Sequence, residues 1–317
     1  MRETTPAVFM IAEPHVNWEA VGRYLDTIGG THWVDRVAPP TVSDHSAACD
    51  RVAFAERSGS NDCTCMRGVS RRPASGTDAE MLVEFAGRGC YRSWAPGLNA
   101  NVTAVREDSG AYLRNILSSG HGSVLEHAQF TFVFHDVSRV FTHELVRHRV
   151  GTAISQESLR YVRLTDLGVR IPDVLNRDDV LLPDRTEEPY DSDGVTVQPL
   201  VMLPKAIVSL VETLEEFQRD AAEALGLDSE HVPFSVKKEV TSALRRLAPI
   251  GLSTMMTWSA NVRTLRHVIV MRTSKHAEEE IRLVFQEVAR QLSYAHPLLF
   301  GDLTPNEDGE WTSPHPV

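Results

Sequence analysis

The sequence lacks the features that mark several large classes of protein. No apolar run approaches the roughly 20 residues needed to cross a bilayer, which excludes helical membrane spans. The opening stretch, MRETTPAVFMIAEP, has too short an apolar segment and the wrong flanks for a secretory signal. Cysteine is scarce. Of four in 317 residues, Cys49, Cys63 and Cys65 crowd into one polar stretch and Cys90 stands apart. That is no disulfide framework, and the chain reads as a cytoplasmic protein with reduced thiols. Positive charge is also in deficit. Lys and Arg number 32 against 43 Asp and Glu, a net charge of −11, which argues against a protein that coats nucleic acid. There is no internal repeat, so no solenoid. Hydrophobic residues at 42% and charged residues at 24% are the proportions of an ordinary globular chain.

What is present is a mixed order of helices and a few strands. Ala7–Ala12 reads as a short buried strand, and 18–25 has helical spacing. Residues 40–77 are rich in Ser, Arg, Asp, Ala and Cys and read as a mobile surface insert. A Cys63-x-Cys65 pair near His45 lacks the wider spacing of structural zinc sites, so no metal is expected. Thr77-Asp78-Ala79-Glu80 has the form of a capping box, opening a helix with Leu82, Phe85, Ala86 and Gly89 on one face. A second helix carries Tyr112, Leu113, Ile116 and Leu117 and stops at Ser118-Ser119-Gly120. Phe130, Phe132 and Phe134 alternate with Thr131, Val133 and His135, the period of a strand. Val137, Phe141, Leu145 and His148 return to helical spacing, and 159–164 reads as a strand.

A polar, proline-bearing stretch follows at 176–204. Helices are expected over 205–225, with Gly226 as C-cap, and over 235–247. A buried strand is expected over 252–258. Asn261 can cap a helix carrying Leu265, Val268, Ile269 and Arg272. A last helix carries Ile281, Val284, Phe285, Val288 and Leu292. The regular βαβ alternation of a doubly wound sheet is missing.

Three clusters could carry chemistry. Arg147-His148-Arg149 closes an amphipathic helix and leads into Ser155, Gln156, Ser158 and Arg160. Cations at a helix C-terminus suit the macrodipole. Guanidinium forks with nearby hydroxyls also suit a phosphate. Gly120-His121-Gly122-Ser123 precedes Glu126 and His127, either as a turn capped by Ser123 or as a close backbone approach to a ligand. Arg245-Arg246, Asn261, Arg263, His267 and Arg272 form the third, with a salt-bridged surface helix near Glu278, Glu279 and Glu280 as the plain alternative. None of His121, His127, His143 and His148 has the spacing that sets two metal ligands on one helix face.

Taken in order, these clusters resemble the flavin-dependent thymidylate synthases (the ThyX family). The resemblance rests on GHGSVLEH (120–127), SRVFTHELVRHR (138–149), SQESLRY (155–161), RRLAP (245–249), ANVRTLRH (260–267) and MRTSKHAEEEIR (271–282), over about 160 residues. GRGCYRSWAPGLN (87–99) is similar to the family's N-terminal loop. One departure stands out: eight residues, 150–157, separate Arg149 from Ser158, where the family signature has seven.

The resemblance implies an α/β fold, a central sheet packed with helices, assembled as a homotetramer. It implies a catalytic region over 78–305, preceded by a strand–helix extension over 1–39 and the insert at 40–77, with a tail over 306–317. It implies C5-methylation of dUMP, with methylenetetrahydrofolate as carbon donor, reduced FAD as hydride source and NADPH as its reductant. Ser123, Glu126, Arg147, His148, Arg149, Asn261 and His267 would then hold FAD. Glu144, Arg147, Gln156, Ser158, Arg160, Arg245 and Arg272 would hold the nucleotide. Arg272 would face the pyrimidine as the main catalytic group, and Ser158 is a nucleophile candidate by position, better suited to binding. The same chemistry on UMP is the alternative, motivated by the longer loop. A silent nucleotide-binding relative is the alternative from another class.

Overall fold

The computed structural model describes residues 2–38, 76–163, 168–185 and 199–315. The expected insert lies outside them except for its last two residues, as do His45, Cys63, Cys65, residues 186–198 of the 176–204 stretch, and Leu164. The chain divides into two compact units. One comprises Met1–Ile11, Thr131–Ser259 and Arg272–Glu287; the other Ala12–Phe130, Ala260–Met271 and Val288–Val317.

The first unit is built on a four-stranded sheet in the order β2-β3-β8-β4. Its strands are β2 (Ala7–Ala12), β3 (Gln129–Ser138), β4 (Thr152–Gln156) and β8 (Ser253–Asn261). β3 and β8 run antiparallel: the Thr131 hydroxyl meets that of Ser259, whereas Val262 N–H donates to the earlier residue Ala128. The phenylalanine alternation in β3 works as the period predicts. Phe130, Phe132 and Phe134 are fully buried. Phe134 packs edge-on against Phe141 at 5.2 Å and near Trp258 and Phe285 at 6.1 and 6.2 Å, an aromatic core with the offset geometry rings prefer.

Helix α5 (Arg139–Leu145) follows β3 directly. Val137, expected in that helix, lies in the strand instead. Ser138 intervenes as N-cap, its hydroxyl accepting from Phe141 N at 3.3 Å. Smaller pairs complete the unit's strands: β1 (Arg2–Glu3) parallel to β5 (Gly168–Val169), and β6 (Leu181–Pro183) antiparallel to β7 (Leu200–Met202). Helix α6 (Leu203–Ala224) ends before Gly226, whose φ of +62° suits glycine. Helix α7 (Phe234–Leu244) runs on into a 3₁₀ turn, Arg245–Leu247.

Two strand expectations change. β2 forms but lies at the sheet edge, so Phe9 and Ile11 remain 52% and 57% exposed. The expected strand at 159–164 is a turn in its described part, with Tyr161 N and Val162 N both donating to Ser158 O at 3.0 Å.

The second unit is helical. It holds α1 (Trp18–Ile28), α2 (Thr31–Val37), α3 (Asp78–Tyr91) and α4 (Ser109–Ser118), with α8 (Val262–Arg272) down to Met271. It also takes the C-terminal part of α9 (Glu279–Ala295) and the short α10 (Pro297–Phe300). The capping box on α3 forms: Glu80 N donates to Thr77 Oγ1, and Thr77 N to Glu80 Oε2. The predicted face of α3 is rotated, however. Leu82, Phe85 and Ala86 are half-buried and Gly89 exposed, while Met81 and Val83 are buried with Glu80, Glu84 and Arg88. Glu84 and Arg88 are buried because they satisfy one another: Glu84 Oε1 accepts from Arg88 Nε and Trp33 Nε1, both at 2.7 Å, and Arg88 donates to two carbonyls, while Glu80 accepts from Thr77 N and Leu298 N.

Candidate active site

Helix α5 and the end of α8 position the densest polar network of the first unit. Arg272, the last residue of α8, uses all three guanidinium nitrogens. Nη1 donates to Glu144 Oε2 at 2.5 Å, Nη2 to the Glu144 carbonyl at 3.1 Å, and Nε to His148 Nε2 at 2.7 Å. Because His148 Nε2 accepts, that imidazole is neutral with its proton on Nδ1. Glu144 sits near the C-terminal end of α5 and His148 just beyond it, so one short helix presents both. Each terminal nitrogen of Arg272 keeps one N–H outside these bonds, available to a carbonyl oxygen.

At the other end of α5 stands Arg139, a residue the sequence reading did not single out. Its Nη2 donates to the Glu157 carbonyl at 3.2 Å. Burial depresses its pKa, the Glu157 carboxylate opposes that, and the Arg245 guanidinium depresses it further. Two cations that act on one another, with the Glu157 carboxylate offsetting part of their charge, create a field that favours an anion. Ser158 follows Glu157 directly, and its hydroxyl accepts from Arg160 N at 3.3 Å. No histidine or carboxylate among the described residues activates Ser158, so the geometry offers a hydrogen-bonding hydroxyl and no activated nucleophile. Arg160 and Arg245 are exposed, with no ion pair among the described residues. Gln156 is tied to α5, its Nε2 donating to Thr142 Oγ1 at 3.2 Å. Arg147 and Arg149, past the end of α5, are exposed and likewise unpaired among the described residues. In a chain of net charge −11 such arginines are a standing donor set for anionic groups.

The remaining predicted residues belong to the second unit. Glu126, at the end of a 3₁₀ turn (Gly122–Glu126), pairs with Arg263 Nη1 at 2.7 Å. Ser123 is exposed within that turn and does not cap it. A Cβ at Gly122 would come to 2.9 Å from Arg263 Nε, so a larger residue there would displace the Arg263 side chain. Asn261 is buried, and its Oδ1 caps α8 by accepting from Thr264 N at 2.9 Å, as expected. His267 is exposed on α8. The plain alternative for the third cluster misassigned its partners. Arg263 and Arg272 pair with Glu126 and Glu144, whereas Glu279 binds Arg170 and Glu280 binds Ser138.

Chemically, the arrangement provides guanidinium groups at one end of α5 and the Glu144–Arg272–His148 network at the other, on a mixed α/β fold with an antiparallel sheet. Comparison with known proteins gives the family. The family model for thymidylate synthase complementing protein matches residues 74–298. The flavin-dependent thymidylate synthase of Mycobacteroides abscessus is 37% identical over 231 residues, 71% of this chain and 81% of that protein. The flavin-dependent thymidylate synthase of Mycobacterium tuberculosis is 35% identical over 246 residues, 76% of this chain and 88% of that protein. A crystal structure of the UMP/dUMP methylase PolB from Streptomyces cacaoi, bound with 5-Br UMP, aligns with a TM-score of 0.46 and 22% identity, over 72% of this chain and 89% of that one. The chain belongs to the flavin-dependent thymidylate synthase family.

Proposed function

We propose that this chain catalyses the reductive C5-methylation of a uridine monophosphate, dUMP to dTMP. The observation that carries the reading is the segregation of charge along α5. Arg139, close to Arg245 and bonded to the residue before Ser158, marks one end, and the Glu144–Arg272–His148 network marks the other. A mononucleotide laid along the helix puts its phosphate among Arg139, Ser158, Arg160 and Arg245, and its base against Arg272. Gln156 lies between. The guanidinium of Arg272, braced by Glu144, directs its spare N–H groups at a pyrimidine carbonyl and stabilises negative charge that develops on the ring.

FAD would be held by Ser123, Glu126, Arg147, His148, Arg149, Asn261 and His267. The exposed Arg147 and Arg149, without an ion pair among the described residues, fit a diphosphate. When bound and reduced, FAD supplies the hydride, methylenetetrahydrofolate the carbon, and NADPH the reducing equivalents. The chain's residues bind and orient; Ser158 serves as a phosphate hydroxyl. The active form is a homotetramer, with 78–305 as catalytic region, 1–39 as its extension, 40–77 as an insert and 306–317 as a tail.

UMP as substrate is the second reading. Thr152–Gln156 is committed to β4, so the extra residue of the 150–157 segment leaves its slack at Val150 and Gly151, where Gly151 has a φ of +69°. A backbone that withdraws at Gly151 would tolerate a ribose hydroxyl. Flavin titration followed by parallel methylation assays with dUMP and UMP tests both readings. Turnover of dUMP supports the first. Turnover of UMP at a comparable rate supports the second. A folded protein that binds no flavin and methylates neither contradicts both.

A further inference from the structure

The rings of Tyr161 and Phe234 lie parallel, with centroids 6.4 Å apart and planes 8° apart. Lys238 Nζ sits 5.1 Å from the centre of the Tyr161 ring. Phe234 and Lys238 are four residues apart on α7, so they leave the helix from one face, and Tyr161 is held against both. The two rings are 55% and 70% exposed. Core packing therefore does not fix Tyr161; the contact with α7 does.

Tyr161 closes the turn that presents Ser158 and Arg160. Its N–H and that of Val162 both donate to the Ser158 carbonyl at 3.0 Å, and Arg160 N donates to Ser158 Oγ at 3.3 Å. The face of α7 that carries Phe234 and Lys238 continues through Thr241, which is buried, to Arg245. Steps of four, three and four residues return to nearly the same direction on a helix of 3.6 residues per turn. The Tyr161 phenol is also held below its usual pKa, first by the Lys238 ammonium and more weakly by Arg160, in keeping with cations converging at this point.

We infer that Phe234 and Lys238 are positioning residues, which clamp Tyr161 to α7 and so set Ser158 and Arg160 in register with Arg245, the C-cap of that helix. This deepens the proposed function and rests on its assignment of those three residues to the nucleotide phosphate. A turn ordered before the ligand arrives does not lose that ordering entropy on binding.

Hydrogen exchange on the nucleotide-free protein tests the clamp alone. Phe234→Ala and Lys238→Met each speed exchange of the amides of Tyr161 and Val162 by roughly three- to tenfold, as expected for loss of one ring or cation contact. Phe234→Tyr and Lys238→Arg keep the wild-type protection. Nucleotide kinetics test the consequence: the Ala and Met variants raise the KM for dUMP by a similar factor, with kcat and flavin affinity unchanged. Unchanged exchange overturns the clamp whatever the substrate proves to be. Faster exchange with an unaltered KM, or with kcat and flavin affinity falling together, overturns the positioning role. A wild type inert toward dUMP and UMP contradicts the proposed function instead, and leaves the exchange result standing on its own.

Discussion

Arg272 is the residue on which the geometry of the first unit's site converges. Its three nitrogens are shared between Glu144 and His148, and its side chain is 12% exposed. Replacing it by Ala removes the charge that the proposed function sets against a pyrimidine and leaves the Glu144 carboxylate without its partner. Arg272→Ala therefore lowers kcat by about a hundredfold or more, while flavin binding, which rests on other residues, persists in titration. Retention of wild-type kcat contradicts the role given to Arg272. The arginines and Ser158 were legible in the sequence because they sit in ordered motifs. Arg139 was not, although it lies within SRVFTHELVRHR. What marks it is the proximity of Arg245, more than a hundred residues away, and no local pattern carries that. Likewise the sequence named Arg263 and Arg272 but not their partners, since Glu126 and Glu144 are brought to them only by the fold.

At the scale of elements, α5 depends on one buried carboxyl. Glu280, near the start of α9, accepts from Ser138 N at 2.7 Å and from the Ser138 hydroxyl, bracing the N-cap of α5. Its pKa is raised. Burial outweighs the Ser138 donors, with Glu278 raising it further and Arg170 lowering it. The folded chain thus binds this proton more tightly than the unfolded chain. The contribution is fully present below the unfolded value and is lost as pH rises through the folded one. Glu280→Gln, which cannot ionise, removes that dependence: its Tm falls less than the wild type's as pH rises from the ordinary glutamate range. Parallel Tm profiles for the two proteins contradict the assignment. Element types were mostly legible. The capping box at Thr77, the Asn261 cap, the phenylalanine alternation of β3 and the end of α6 before Gly226 each obey a local rule. The rotated face of α3, the open edge at Phe9 and Ile11, and the turn at 158–162 obey tertiary ones: burial of paired charges, position in the sheet, and docking against α7.

At the scale of the whole molecule, stability in the helical unit rests on the Glu84–Arg88 pair, both fully buried. Breaking such a pair strands a charge. Arg88→Ala costs roughly 3–5 kcal/mol, whereas the double change Glu84→Leu with Arg88→Met recovers much of it. Denaturant unfolding of both variants checks this, and a double variant less stable than Arg88→Ala contradicts it. Chemistry in the proposed function passes through no thiol. Cys90 is exposed and free, with its Sγ facing only the Ala86 carbonyl of its own helix, at 3.5 Å. Replacing all four cysteines by Ser leaves methylation intact. Loss of turnover with flavin still bound overturns that account.

The central claim, that reduced flavin and not the folate provides the hydride for C5-methylation, is tested most directly by following the folate. The wild-type protein is supplied with FAD, NADPH, methylenetetrahydrofolate and either uridine monophosphate, and the products are resolved by mass spectrometry. Electron balance then fixes the result. A methyl group built from a methylene carbon and a hydride drawn from flavin releases tetrahydrofolate, in equal amount with 5-methylated nucleotide and only when FAD and NADPH are both present. Dihydrofolate released with the product, or methylated nucleotide formed without flavin, contradicts the account.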